Sequence, residues 1–119
     1  MLFSTTGRPM YQNEVKYIVY HRNLMELFTS CSACYSPCDV QLHTIGTFVS
    51  IHQTCPHCEQ SRSWSSQPFI NGMAAGNLQL SAAVFFSGAS FSKIQRVLQV
   101  VGLQSIGSLY SDLLRVSVL

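Results

Sequence analysis

Charge is scarce in this chain. Asp, Glu, Lys and Arg make up 10% of its 119 residues, against about 25% in ordinary soluble domains. The five acids, Glu14, Glu26, Asp39, Glu59 and Asp112, are scattered along the chain. They form no evident divalent-metal cluster, and metal-dependent strand-transfer chemistry is therefore not expected. Long apolar runs are also missing. The longest lies around residues 82–86, far short of the roughly 20 needed to cross a bilayer. The N-terminus has no basic start followed by an apolar core, so no secretory signal is expected. A reducing compartment, nuclear or cytoplasmic, follows, and there disulfides are rare. A chain of this length makes one compact domain or two very small ones, and half of it alone would need a staple.

What the chain does have is cysteine, and all five fall between positions 31 and 58. Cys31-Ser-Ala-Cys34 and Cys55-Pro-His-Cys58 form two CxxC pairs with 20 residues between them. This is the upper edge of a known zinc spacing. Two intervening residues let both sulfurs of a pair converge on one ion, and two such knuckles complete a tetrahedral thiolate shell. Structural Zn2+ held by Cys31, Cys34, Cys55 and Cys58 is the expected cofactor. A thioredoxin-like redox motif would need one pair in a βαβ setting. A zinc deaminase would need an HxE upstream of PCxxC, and the HxE at His57 has no following cysteine pair. Cys38 reads as a spare thiol, with exchange for Cys31 or Cys34 as the alternative. Four thiolates leave His52 and His57 no vacancy.

The residues between the pairs read as a β-hairpin. Val40 and Leu42 alternate with polar residues, Gly46 permits a turn, and Phe48, Val49 and Ile51 follow. Residues 60–68 offer a third strand carrying Trp64, the only tryptophan. The arrangement predicted is a zinc ribbon. Before it, residues 15–20 read as a short strand. Residues 22–30 read as a helix, with Asn23 as cap and Leu24, Leu27 and Phe28 on one face.

After Trp64 the apolar period changes towards 3.6. Residues 76–88 predict a buried helix capped by Asn77 and stopped by Gly88. Residues 89–102 predict a second, with Ser92 and Gln95 as a capping box. Its inner stripe would be Ile94, Val97, Leu98 and Val101, and its stop Gly102. A third, over 105–119, would start at Ser108 and turn Leu109, Leu113 and Val116 inward. Three helices with a short first turn suit a helix-turn-helix and equally an inert three-helix packing. Candidate nucleic-acid contacts are Lys93, Gln95, Arg96, Gln99 and Arg115. The formal net charge is +2, and four thiolates with one divalent ion would bring it to about zero, so bulk charge does not favour nucleic acid.

The fold class expected is α+β, with a loose N-terminus over 1–14, a strand, helix and four-cysteine ribbon over 15–70, and a helix-turn-helix-like segment over 71–119. The ordered string CSAC, TCPHC, WSSQP and GNLQLSAAVFFSG resembles the N-terminal region of transposase-derived vertebrate proteins, similar to Kolobok-type transposases that often carry a THAP zinc finger upstream. The resemblance covers residues 15–104. It implies a zinc-stabilised, DNA-associated module, with Cys31, Cys34, Cys55 and Cys58 as ligands. Such proteins continue into a catalytic region, so this chain is expected to be a truncated or domesticated fragment and not an enzyme. The alternative is a zinc-stapled module that pairs with itself or another protein through its apolar helices, or a fragment without function. No membrane partner and no small-molecule substrate is expected.

Overall fold

The structure is a computed structural model and describes residues 14–104. As expected, it is α+β, with a three-stranded antiparallel sheet. In chain order the elements are α1 (His21–Met25), β1 (Asp39–Ile45), β2 (Phe48–Thr54), β3 (Ser61–Ser65), β4 (Phe69–Ile70), β5 (Met73–Ala74), α2 (Ala75–Ser87) and α3 (Phe91–Val101). The larger sheet has the order β1-β2-β3, and β4 pairs with β5. Contacts divide the chain into two compact units. One comprises residues up to Gln41 with His52–Arg62, the other Leu42–Ile51 with residues from Ser63 onward.

The predicted hairpin is present. β1 and β2 are joined by Gly46 and Thr47, with Gly46 at φ 60. A positive φ at the first of two loop residues matches the twist of the flanking strands, and glycine adopts it without steric cost. β2 is the strand with most of its side chains covered, while β1 and β3 are largely exposed.

In the first unit, residues 15–20 form no strand, contrary to expectation. They join no ladder among the described residues and are exposed throughout. β-branched and aromatic composition reports fitness for a pleated surface and does not supply a partner strand. The helix expected over 22–30 is shorter and starts earlier, at His21, with Tyr20 as its cap and no side-chain cap bond from Asn23. It tightens at its end: Leu27 N–H bonds the Leu24 carbonyl at 3.1 Å and Phe28 N–H the Met25 carbonyl at 2.9 Å. Such i→i−3 bonds are typical of a closing turn. The result buries Phe28 but leaves Leu27 exposed, so the predicted three-residue face does not form.

In the second unit the core is Phe48, Ile51, Ala74, Ala75 and Val84 together with the polar Asn77 and Ser81. Asn77 does not cap its helix; Ala74 occupies that place. The Asn77 side chain is instead buried against the hairpin turn. Its Oδ1 accepts from the Thr47 backbone N–H at 2.7 Å and the Thr47 hydroxyl at 2.6 Å, and its Nδ2 donates to the Ile45 carbonyl at 2.7 Å. Gln67 extends the network by donating to Thr47 Oγ1 at 2.9 Å and accepting from Gly76 N–H at 2.8 Å. The Pro68 carbonyl accepts from Ala75 N–H at 2.8 Å. Two open N–H groups of the α2 start are thus satisfied from the Gln67-Pro68 segment. A Cβ on Gly76 would lie 2.8 Å from the end of the Gln67 side chain, so any larger residue there would displace the Gln67 amide from its bonds.

β4 and β5 form a small hairpin with Phe69 opposite Ala74 and Ile70 opposite Met73. Its turn is Asn71-Gly72, both at positive φ, a dipeptide suited to such turns. Phe69 meets the Phe48 ring edge-on, centroids 5.0 Å apart.

Gly88 and Gly102 end α2 and α3 as predicted, in the left-handed conformation. After α3, Gly102 N–H reaches the Gln99 carbonyl at 3.1 Å and Leu103 N–H the Leu98 carbonyl at 2.8 Å, a Schellman arrangement. The cap of α3 is Ser90, whose hydroxyl accepts from Lys93 N–H, and not Ser92. α2 is not buried all round: Phe85 and Phe86 are exposed, as are Val97 and Val101 of the stripe predicted to face inward on α3. The buried side of α2 is narrow, built on Ala75, Asn77, Ser81 and Val84, because small and polar residues there fit closely. Among the described residues no helix is long and apolar enough to cross a membrane. The helix expected over 105–119, with Arg115, and the N-terminal residues 1–13 lie outside the described residues.

Candidate metal centre

The two CxxC segments fold into the same local shape. In the first, Cys31 N–H bonds the Ser36 carbonyl at 2.8 Å and Tyr35 N–H bonds the Cys31 carbonyl at 2.9 Å. In the second, Cys55 N–H bonds the Gln60 carbonyl at 2.8 Å and Glu59 N–H bonds the Cys55 carbonyl at 2.9 Å. Tyr35 and Glu59, each following a second cysteine, both have φ 63. The left-handed residue reverses the chain and leaves the sulfurs of each pair facing inward. The hairpin links the knuckles, and an isolated bridge between Ser30 and Pro37 closes the first.

The sulfur atoms of Cys31, Cys34, Cys55 and Cys58 all lie within 4.8 Å of one another. Two separations between knuckles are 3.5 Å each, Cys31 to Cys58 and Cys34 to Cys55. A disulfide would require about 2.05 Å, and all five cysteines are free. Four sulfurs around one ion at about 2.3 Å would stand roughly 3.8 Å apart at tetrahedral angles. The observed spacing brackets that value, so this group can hold one metal ion. Among the described residues, no other group of three or more such ligands converges.

The surrounding backbone favours thiolate at one corner. N–H groups of Cys34 and Ala33 aimed at the Cys31 sulfur, the latter at 3.4 Å, lower its pKa from 9.0 to about 6. Cys34 is lowered too, by hydrogen bonds from the Ser36 side chain and backbone. At Cys58 the Gln60 backbone pulls the pKa down, but the bond to Cys31, burial and the bonds to Cys55 and Cys34 outweigh it, and the thiol is pushed up to about 12. Without a metal, then, the surroundings favour the thiolate at Cys31 and Cys34 and the thiol at Cys58. A divalent ion would displace the protons that remain.

Two residues outside the pairs hold the first knuckle in place, and neither is evident from the cysteine pattern. Gln53, buried on β2, donates from Nε2 to the Phe28 carbonyl at 2.8 Å and the Ser30 carbonyl at 3.1 Å. It thereby fixes the chain just before Cys31. Arg62 lies with its guanidinium 4.7 Å from the Phe28 ring centroid and donates to the Leu27 carbonyl at 3.1 Å. The available signal was the alternation of β2, which sets Gln53 on the same face as Ile51, where a buried amide demands a partner.

Cys38 stands apart from the group of four. Its thiol donates to the Ser36 carbonyl at 3.6 Å, and burial, followed by the influence of Cys55 and Cys31, raises its pKa to about 11. His57 is exposed in the second knuckle, and neither it nor His52 joins the sulfur group. Of the candidate nucleic-acid residues, Lys93, Arg96 and Gln99 are exposed on α3 and Gln95 is half-buried.

Fold and site together define a small α+β protein with a four-cysteine group that could hold a metal ion. Comparison with protein families, with curated proteins and with solved structures returns no match.

Proposed function

We propose that the chain is a non-catalytic zinc module in which Cys31, Cys34, Cys55 and Cys58 hold one structural Zn2+. The single observation that carries this reading is the convergence of the four sulfurs from two like-shaped knuckles. Thiolates suit soft and borderline ions, and a tetrahedral four-sulfur shell is characteristic of zinc or iron. Such a shell has no open position for substrate or water, so the role is structural rather than catalytic. With so few buried side chains around it, the ion supplies folding free energy directly. Chelation of the zinc-loaded protein should abolish its cooperative unfolding transition, and restoring zinc should return it. A transition unchanged by a strong chelator would overturn the reading, and a red, iron-bearing protein would replace zinc with iron.

A second reading is DNA association as part of a transposase-derived module. It is supported by the exposed Lys93, Arg96 and Gln99 on α3 and by the motif string that resembles such proteins. Phosphate contacts dominate nucleic-acid affinity and release counterions. Two cations imply weak binding that falls steeply between low and moderate salt. A gel-shift series with random duplex DNA tests this; absence of a shift at low salt, or a shift indifferent to salt, would remove it.

A further inference from the structure

Residues 15–20, Val-Lys-Tyr-Ile-Val-Tyr, leave five large apolar side chains in water. Val15 is 72% exposed, Tyr17 83%, Ile18 68%, Val19 58% and Tyr20 77%. Such a cluster on a small protein marks an interaction surface. The composition is that of a strand, Tyr20 is extended at φ −78 and ψ 144, and the segment joins no ladder among the described residues. Its open backbone is a template for a further strand.

We propose that this segment pairs antiparallel with the same segment of a second copy, about a two-fold axis through Ile18. Self-complementarity selects the occupant. With Ile18 opposite Ile18, Tyr17 stands opposite Val19 and Lys16 opposite Tyr20, each twice by symmetry. These are aromatic–aliphatic and cation–aromatic combinations that stabilise neighbouring strands. Beyond the paired residues, Glu14 of each copy comes to the end where the other copy's α1 begins, with Arg22 in its first turn, again twice. Arg22 is exposed at the start of α1, and Lys16, which in the single chain donates to the Glu14 carbonyl at 2.9 Å, is exposed too. The nearby registers do worse. A slip of two residues one way sets Lys16 opposite Arg22, and the other way leaves Glu14 opposite Tyr20. A two-fold contact of this kind closes on itself and gives a dimer, not a fibre. The five paired residues of each copy, 16–20, bury little area, so the dimer belongs to the transient class.

Sedimentation of the full chain from about 10 µM to about 1 mM spans the transient affinity range. The wild-type chain should pass from monomer to dimer. Ile18→Lys sets two like charges face to face and should leave monomer throughout. Glu14→Arg and Arg22→Glu each turn two attractions into repulsions and should each weaken dimerisation at least about tenfold. An equimolar mixture of these two variants should recover the wild-type affinity, because the new cation of one faces the new carboxylate of the other. A wild-type chain that stays monomeric would overturn the proposal. So would association that survives Ile18→Lys, or a mixture no tighter than its components; the last two would place contact elsewhere, on the apolar helices or another segment.

Discussion

Tyr35 and Glu59 occupy the same place in the two knuckles, one residue past the second cysteine, and share a left-handed backbone at φ 63. Neither is a glycine, so each holds a conformation that costs an L-residue about 1–2 kcal/mol. The N–H of each is bonded at 2.9 Å to the carbonyl of the first cysteine. The strain thus sits where the chain must reverse to aim two sulfurs at one point.

Glycine at either position should relieve the strain, partly offset by its greater freedom when unfolded. Tyr35→Gly and Glu59→Gly should each raise the stability of the metal-loaded protein by about 0.5 kcal/mol. Tyr35→Val, β-branched, should lower it by about 1 kcal/mol or more. Urea midpoints at saturating zinc provide the comparison.

Gln53 positions the first knuckle without being one of the four converging sulfur residues. Gln53→Leu keeps much of the volume but leaves the Phe28 and Ser30 carbonyls without their donor. The expected loss is about 2 kcal/mol of stability, with zinc affinity falling about tenfold as Cys31 loses its fixed approach. Gln53→Glu should be worse, since a carboxylate cannot donate to either carbonyl. Zinc competition titrations and denaturant unfolding, run on the same samples, separate the two effects.

The protonation pattern sets a pH dependence. Zinc binds thiolate, so each proton it displaces makes affinity fall tenfold per unit of acidification. Cys58, pushed up to about 12, still carries its proton at neutral pH, whereas Cys31, at about 6, has mostly lost its own. Affinity should therefore drop as pH falls, and drop more steeply below about pH 6, where Cys31 also takes up a proton. In the metal-free fold, the lowered Cys31 stabilises above its ordinary value of 9.0 and loses that contribution as pH falls towards 6. The raised Cys58 stabilises below 9.0 and loses its contribution as pH rises towards 12. A chromophoric chelator titrated from about pH 5 to about pH 8 reads the zinc slope; a flat profile would contradict this pattern.

The parts of this fold that local chemistry determines were legible in the sequence. CxxC spacing located four converging sulfurs, Gly46 located the hairpin turn, and Gly88 and Gly102 located the ends of α2 and α3. Each depends on residues close in the chain. What failed depended on partners far along it. Asn77 has the chemistry of a cap, yet thirty residues away Thr47 supplies a better use for its side chain. Residues 15–20 have the composition of a strand but no neighbouring strand among the described residues. Ser90 and Ser92 are equally good caps by composition, and the helix start decides between them. The β4–β5 hairpin was readable from Asn71-Gly72 but is short enough to be overlooked. The strand alternation sets Gln53 on the face of Ile51, but nothing local says which carbonyls it will meet.

The claim that two sulfur knuckles grip one ion is tested most directly by zinc per folded chain in three proteins. One equivalent is expected for the wild-type chain, one for Cys38→Ser, and a severe loss of tightly held zinc for Cys55→Ser. Loss of metal from Cys38→Ser, or no zinc in the wild-type chain after exposure to it under reducing conditions, would contradict the account.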